Sequence, residues 1–80
     1  MSNQPPETIL ATVNGQPHQC RRGQTLTELL ADLGLRADHV AIELERRIVK
    51  PAEWSHTAIP EGAEIEIVHF VGGGRDAGGV

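Results

Sequence analysis

Thiol chemistry is almost absent from this chain. Cys20 is its one cysteine, so no disulfide closes within it and no cysteine-built zinc or iron–sulfur site is available. The histidines do not fill that gap, because His18, His39, His56 and His69 show no metal-ligand spacing. Cys20 itself, though flanked by Arg21 and Arg22, reads as a small apolar filler rather than a nucleophile. No apolar run approaches the length of a transmembrane helix. Met1–Glu7 is polar, carries Pro5-Pro6 and lacks the apolar core of a signal peptide. The expected setting is cytoplasmic, away from membranes. Positive charge is also in deficit, seven Lys and Arg against eleven Asp and Glu, a formal net charge of −4. Nucleic acid and anionic lipid both want a basic face, so neither is an expected partner. A basic protein suits the charge better. Eighty residues make one thin-cored domain with little room for an internal catalytic cleft, and no titratable groups converge, so an enzyme in its own right is not expected.

What the chain does have is glycine, concentrated at one end. Five of its nine glycines fall within Gly72–Val80. They follow a strand pattern, Glu64-Ile65-Glu66-Ile67-Val68, and no helix pattern comes after them. Glycine is the costliest residue to order. A frayed terminus is one explanation. A phosphate-binding loop is excluded, since it needs a helix after the glycines and a lysine, and none follows Lys50. A tail made to be threaded into another protein's narrow site is the third.

The rest of the chain reads as a handle for that tail. Thr8–Val13 is a strand with Ile9, Ala11 and Val13 on one face. Asn14-Gly15 signals a type I′ hairpin turn, and Gln16–Arg21 returns as a polar strand that Pro17 confines to a sheet edge. Thr25-Leu26-Thr27-Glu28 is a capping box. Leu26, Leu29, Leu30 and Leu33 then share a helix face, and Gly34 stands at C′, giving a helix of roughly nine or ten residues. Val40–Leu44 is a strand, Glu45-Arg46-Arg47 interrupts it and Ile48-Val49 resumes. Pro51 stops that strand. Ala52–Pro60 is irregular with one helical turn at Ala52-Glu53-Trp54, where Trp54 covers the core. Pro60-Glu61-Gly62 turns and Ala63–Val71 is the last strand. The result is an α+β domain, a mixed sheet of four to five strands with one helix on one face. Met1–Glu7 forms a loose leader, residues 8–71 the domain, and residues 72–80 a flexible glycine-rich tail. Val68, Phe70 and Val71 lie beside the tail and are the expected partner interface, with Phe70 its aromatic anchor. His69 is expected to face a partner or to pack.

These pieces together resemble the ubiquitin-like β-grasp proteins, and more narrowly the ThiS/MoaD-like sulfur carriers of thiamine biosynthesis. The resemblance runs from about Thr8 to Gly74. It rests on Val13-Asn14-Gly15, Thr25–Leu30, Val40–Glu43, Ile48-Val49 before Pro51, Glu53-Trp54, Ile59–Ala63 and above all Glu66–Gly74. In two places the sequence departs from the family. Glu45-Arg46-Arg47 stands where an Asn-Gly turn is common, and Arg75–Val80 follows the glycines. A second diglycine, Gly78-Gly79, has no strand before it and Val80 after it.

The resemblance implies that the chain binds no cofactor and supplies no acid, base or metal. A ThiF-like adenylating enzyme, using ATP and Mg, activates the Gly74 carboxylate. Sulfur from a cysteine desulfurase converts it to a thiocarboxylate, and a ThiG-like thiazole synthase receives that sulfur. Gly72 and Gly73 keep the tail thin enough to thread. A processing protease then has to remove residues 75–80 to free Gly74. Related alternatives are sulfur delivery for cysteine, molybdopterin or a thio-containing natural product, a ubiquitin-like modifier that joins target lysines, and a β-grasp binding module with an inert tail.

Overall fold

The computed structural model describes residues 7–70. Strand β1 (Thr8–Val13) turns through Asn14-Gly15 into β2 (Gln16–Arg21), and helix α1 (Leu26–Leu33) follows. A short 3₁₀ turn, Ala37–His39, leads into β3 (Val40–Leu44), β4 (Arg47–Val49), a 3₁₀ helix at Pro51–His56, and β5 (Glu64–His69). The five strands lie in the order β2-β1-β5-β3-β4. The first and last strands are parallel neighbours at the centre and every other pair is antiparallel, so the sheet is mixed, as expected. β2, with Pro17, is an edge strand.

α1 forms where its termini are satisfied. Thr25 accepts from the Glu28 N–H at 3.2 Å and Glu28 Oε1 accepts from the Thr25 N–H at 3.0 Å, the reciprocal capping box. At the other end Gly34 takes φ 72°. Its N–H reaches the Ala31 carbonyl at 3.1 Å and the Leu35 N–H reaches that of Leu30 at 2.9 Å, closing a Schellman motif. The helix is eight residues long, slightly shorter than its apolar spacing predicts, because Thr25 and Gly34 lie outside it as its two caps. Leu26, Leu29 and Leu30 are buried against Ile9, Ala11, Val13, Ile42, Ile65 and Ile67 of the sheet, while Leu33 is half-buried at the margin. Cys20 and Trp54 join this core. Trp54 Nε1 donates to the Val49 carbonyl at 2.8 Å, which fastens the 3₁₀ helix to β4.

Three boundaries differ from the sequence reading. The β3–β4 turn is two residues, Glu45 and Arg46, at φ 52° and 68°, and Arg47 belongs to β4. This left-handed pair matches the strand twist. It is held by β5, since the Glu45 N–H reaches the Glu64 carbonyl and Glu45 Oε2 accepts from the Glu64 N–H, both at 2.8 Å. The helical segment before β5 spans Pro51–His56, with Pro51 in its first turn. β5 itself runs from Glu64 to His69, because Ala63 is still held by the preceding turn through its N–H to the Pro60 carbonyl.

Candidate functional site

The end of the domain that leads to the glycines is built by β5. Its alternation places Ile65 and Ile67 in the core and leaves Glu64, Glu66 and Val68 on the face opposite α1. Two neighbours hold it. On one side β3 pairs along its whole length, Leu44 with Ile65 through Val40 with His69, and the Phe70 N–H then donates to the His39 carbonyl at 2.9 Å. On the other side β1 pairs only at Thr12 with Glu64 and Val13 with Ile65. The Asn14 N–H adds one bond to the Ile65 carbonyl at 2.8 Å. There the β1 main chain departs into the hairpin turn, with Asn14 at φ 51° and Gly15 at φ 81°. The Asn14 side chain takes over: the Ile67 N–H donates to Asn14 Oδ1 at 2.7 Å, and Asn14 Nδ2 donates to the Ile67 carbonyl at 3.2 Å.

Around the strand end lies exposed apolar surface. Val68 is 53% and Phe70 60% exposed, and Ile48 on β4 is 75% exposed. An open groove of about 540 Å³ is lined by Phe70, Ile48, Val49, Pro51 and Trp54, with Asp38 at its wall. Asp38 receives both oxygens' worth of hydrogen bonding from Arg36, at 3.2 Å each. That bond holds its carboxyl below the ordinary carboxylate range, so the groove wall carries a charge. On the open face Glu43 and Glu66 stand directly opposite each other across β3 and β5, and Ile48 is the next residue in that row. Like charges in such a pair repel.

Of the residues singled out from sequence, Val68 and Phe70 stand together at the end of β5, exposed and clear of the core. Val71, Gly72, Gly73 and Gly74, the remainder of the tail and the Met1–Pro6 part of the leader lie outside the described residues. His69 is exposed. Two features of this region are not legible in the sequence: its pattern marks Asn14 only as a turn former, and the Glu43–Glu66 opposition needs a register that no strand pattern gives. Among the described residues, no group of three His, Cys, Asp or Glu is placed to hold a metal, and no helix is long and apolar enough to cross a membrane.

Cys20 is 2% exposed. Burial is the main cause that pushes its thiol pKa up, Asp32 adds to the rise, and Arg21 opposes it. The folded thiol therefore keeps its proton after an unfolded one has released it. Its contribution to stability is full below the ordinary thiol pKa and falls as pH rises beyond it. Iodoacetamide at mildly alkaline pH is expected to leave Cys20 unlabelled in the folded chain and to label it fully in denaturant, read by intact mass. Labelling at equal rates in both states would show that the thiol is open.

Comparison with known proteins bears on this geometry. Residues 11–74 match the ThiS family. The chain is 33% identical over 61 residues to the sulfur carrier protein ThiS of Escherichia coli, spanning 76% of this chain and 92% of that one. It is 38% identical over 63 residues to a thiazole synthase of Magnetococcus marinus. That similarity covers 79% of this chain, which spans about a fifth (19%) of the relative's length. Among solved structures, the crystal structure of the thiamine biosynthesis protein ThiS from Geobacter metallireducens superposes with a TM-score of 0.72 at 30% identity. It covers 82% of this chain and all of that one.

Proposed function

The chain belongs to the ThiS family, and from that premise we propose that it carries sulfur as a thiocarboxylate on Gly74 for the synthesis of the thiamine thiazole. The observation that carries this reading is where the family match ends, at residue 74, the third of the three glycines that follow Val71. A free carboxylate is a poor electrophile because its charge is delocalised. A ThiF-like enzyme joins it to AMP from ATP with Mg, releasing pyrophosphate. A persulfide sulfur supplied by a cysteine desulfurase attacks the acyl carbon and AMP leaves. A second thiol then cleaves the S–S bond and the thiocarboxylate remains. ATP and Mg belong to the activating enzyme, and the carrier contributes a fold, a docking face and a thin tail. In this respect it acts as a protein co-substrate that carries a reactive group.

A ThiG-like thiazole synthase is the proposed acceptor. The similarity to a segment of a longer protein named thiazole synthase supports it, since carrier-like sequence occurs there within the synthase chain. Arg75–Val80 follows Gly74, so a protease must cut after Gly74 before activation.

Val68 and Phe70 are exposed at the root of the tail, with Val71 next in sequence, and they form the proposed docking interface. The Glu43–Glu66 pair beside them suits a partner with a basic rim. Glu66→Lys turns a repelling pair into an attracting one. It is expected to raise stability by roughly 0.2–1 kcal/mol, seen as a higher denaturant midpoint. It is also expected to slow association with the activating enzyme, more at low salt than at high. Unchanged association kinetics would remove the pair from the docking face.

The test of the function is the intact mass of the protein after co-expression with a ThiF-like enzyme and the processing protease. The expected product ends at Gly74 with one oxygen replaced by sulfur. Alkylation distinguishes that sulfur from an added oxygen on Met1 or Cys20, because buried Cys20 is slow to react. A full-length chain without sulfur under those conditions would overturn the reading.

A further inference from the structure

Asn14 does more than form a turn. β5 continues past the point at which β1 leaves it, and at Ile67 its edge toward β1 would face no strand. The Asn14 carboxamide fills that place with one acceptor and one donor, at 2.7 and 3.2 Å. A carboxamide offers the same pair of groups as a peptide unit, so the side chain acts as one more residue of β1 while the main chain turns away at φ 51°. Ile67 is thereby bonded toward β1 by Asn14 and flanked on the other side by Ile42 of β3. Beyond it, the strand end is held from the β3 side, where the Phe70 N–H donates to the His39 carbonyl. Both Asn14–Ile67 bonds span 53 positions in sequence, so the first hairpin is tied to the strand that launches the tail.

We propose that Asn14 is a positioning residue for the tail. By closing the ladder at Ile67 it fixes the course of β5 through Val68 and His69 to Phe70, the last described residue before the tail. This inference rests on the reading of the tail as the working end. A partner enzyme has to grasp the exposed face and the tail together, and only the fraction of molecules with the tail correctly launched binds productively. When that fraction falls, apparent affinity falls in proportion while the bound complex reacts as before. Loss of the clamp therefore raises KM and leaves kcat.

Two substitutions separate the clamp from the turn. Asn14→Gly keeps a residue that tolerates positive φ and removes the carboxamide. Asn14→Asp keeps an acceptor for the Ile67 N–H but sets a second carboxylate oxygen against the Ile67 carbonyl. Amide hydrogen exchange on the full chain is expected to speed up at Ile67 by about tenfold in Asn14→Gly, the worth of two ordinary hydrogen bonds, and by less in Asn14→Asp, which keeps the acceptor. The amides of Leu29 and Leu30 in α1 keep their protection. In adenylation of the chains cut after Gly74 by a ThiF-like enzyme, followed as pyrophosphate release, KM for the carrier rises severalfold and kcat stays within about twofold. Ile9→Val, a core change at the far end of β1, serves as the control for lost stability and keeps the wild-type KM.

Wild-type KM in both Asn14 variants would overturn the inference and leave the carrier function standing. So would an equal rise in KM for Ile9→Val, or a loss of protection spread evenly over α1. A chain with Asn14 intact, cut after Gly74, that the enzyme does not adenylate would instead refute the carrier reading. The exchange measurement needs no partner, and unchanged protection at Ile67 would overturn the clamp on its own.

Discussion

A chain ending at Gly74, given a ThiF-like enzyme, ATP, Mg and a persulfide source, is expected to exchange one carboxyl oxygen for sulfur. The same chain with Gly74→Leu is expected to lose that reaction by on the order of a hundredfold or more, the scale of a reacting group misplaced by an ångström. The physical reason is crowding at the acyl carbon. Adenylate formation needs the carboxylate oxygen in line with the α-phosphorus of ATP, and sulfur attack needs a clear approach to the acyl carbon; a Cβ with a branched side chain stands beside both. Glycine also lets the tail take different φ and ψ in the activating enzyme and in the synthase. The fold is not expected to change, because among the described residues every core residue lies between Ile9 and Ile67. Thermal unfolding of the two chains should coincide. Intact mass after alkylation checks the chemistry. Sulfur gained equally by the Leu variant would show that the enzyme's tunnel is wide at that point and that the glycines serve another purpose. A third chain, continuing through Arg75–Val80, should gain no sulfur until it is cut, because an amide at Gly74 has no carboxylate to activate.

The sequence was most legible where local chemistry decides structure. Thr25, Glu28 and Gly34 announce both ends of α1 by side-chain type and spacing alone, and Asn14-Gly15 announces the hairpin. Ile65 and Ile67 declare the buried face of β5 by alternation. Legibility ended where a partner distant in sequence decides. Glu45 and Arg46 carry no glycine, yet they hold left-handed backbone because β5 receives the Glu45 N–H and donates to its carboxylate. Gln24 looks like a loop residue, but it is 2% exposed. Its Oε1 accepts from the Arg21 N–H at 2.8 Å, its Nε2 donates to Asp32 at 2.6 Å and its carbonyl accepts from the Ile59 N–H at 2.8 Å. A buried amide of this kind is tolerated only when so bonded, and its partners lie on three separate segments. The site divides in the same way. Exposed Val68 and Phe70 follow from strand alternation and nearness to the glycines. The Glu43–Glu66 pair follows from the antiparallel register of β3 on β5, and the Asn14 clamp from the parallel meeting of β1 and β5.

Trp54 carries the largest expected stability effect. Its indole is 3% exposed and donates to the Val49 carbonyl at 2.8 Å, so it joins the 3₁₀ helix at Pro51–His56 to β4 across the edge of the core. Trp54→Ala removes the ring and the bond together and is expected to cost about 3–5 kcal/mol. A domain this small holds only about 5–10 kcal/mol in all, so the variant should be largely unfolded at moderate temperature. Trp54→Phe separates the two contributions. It keeps most of the apolar surface and leaves the Val49 carbonyl without its donor, for about 1–3 kcal/mol. Circular dichroism during thermal melting ranks the three chains. A Phe variant as unstable as the Ala variant would assign the effect to the hydrogen bond, and a Phe variant as stable as the parent would assign it to the ring. Trp54 also lines the groove beside Phe70. The Phe variant, assayed where it is still folded, therefore asks whether the indole matters to docking: an unchanged KM with the activating enzyme would confine the indole to holding the fold, and a raised KM would make it part of the docking surface.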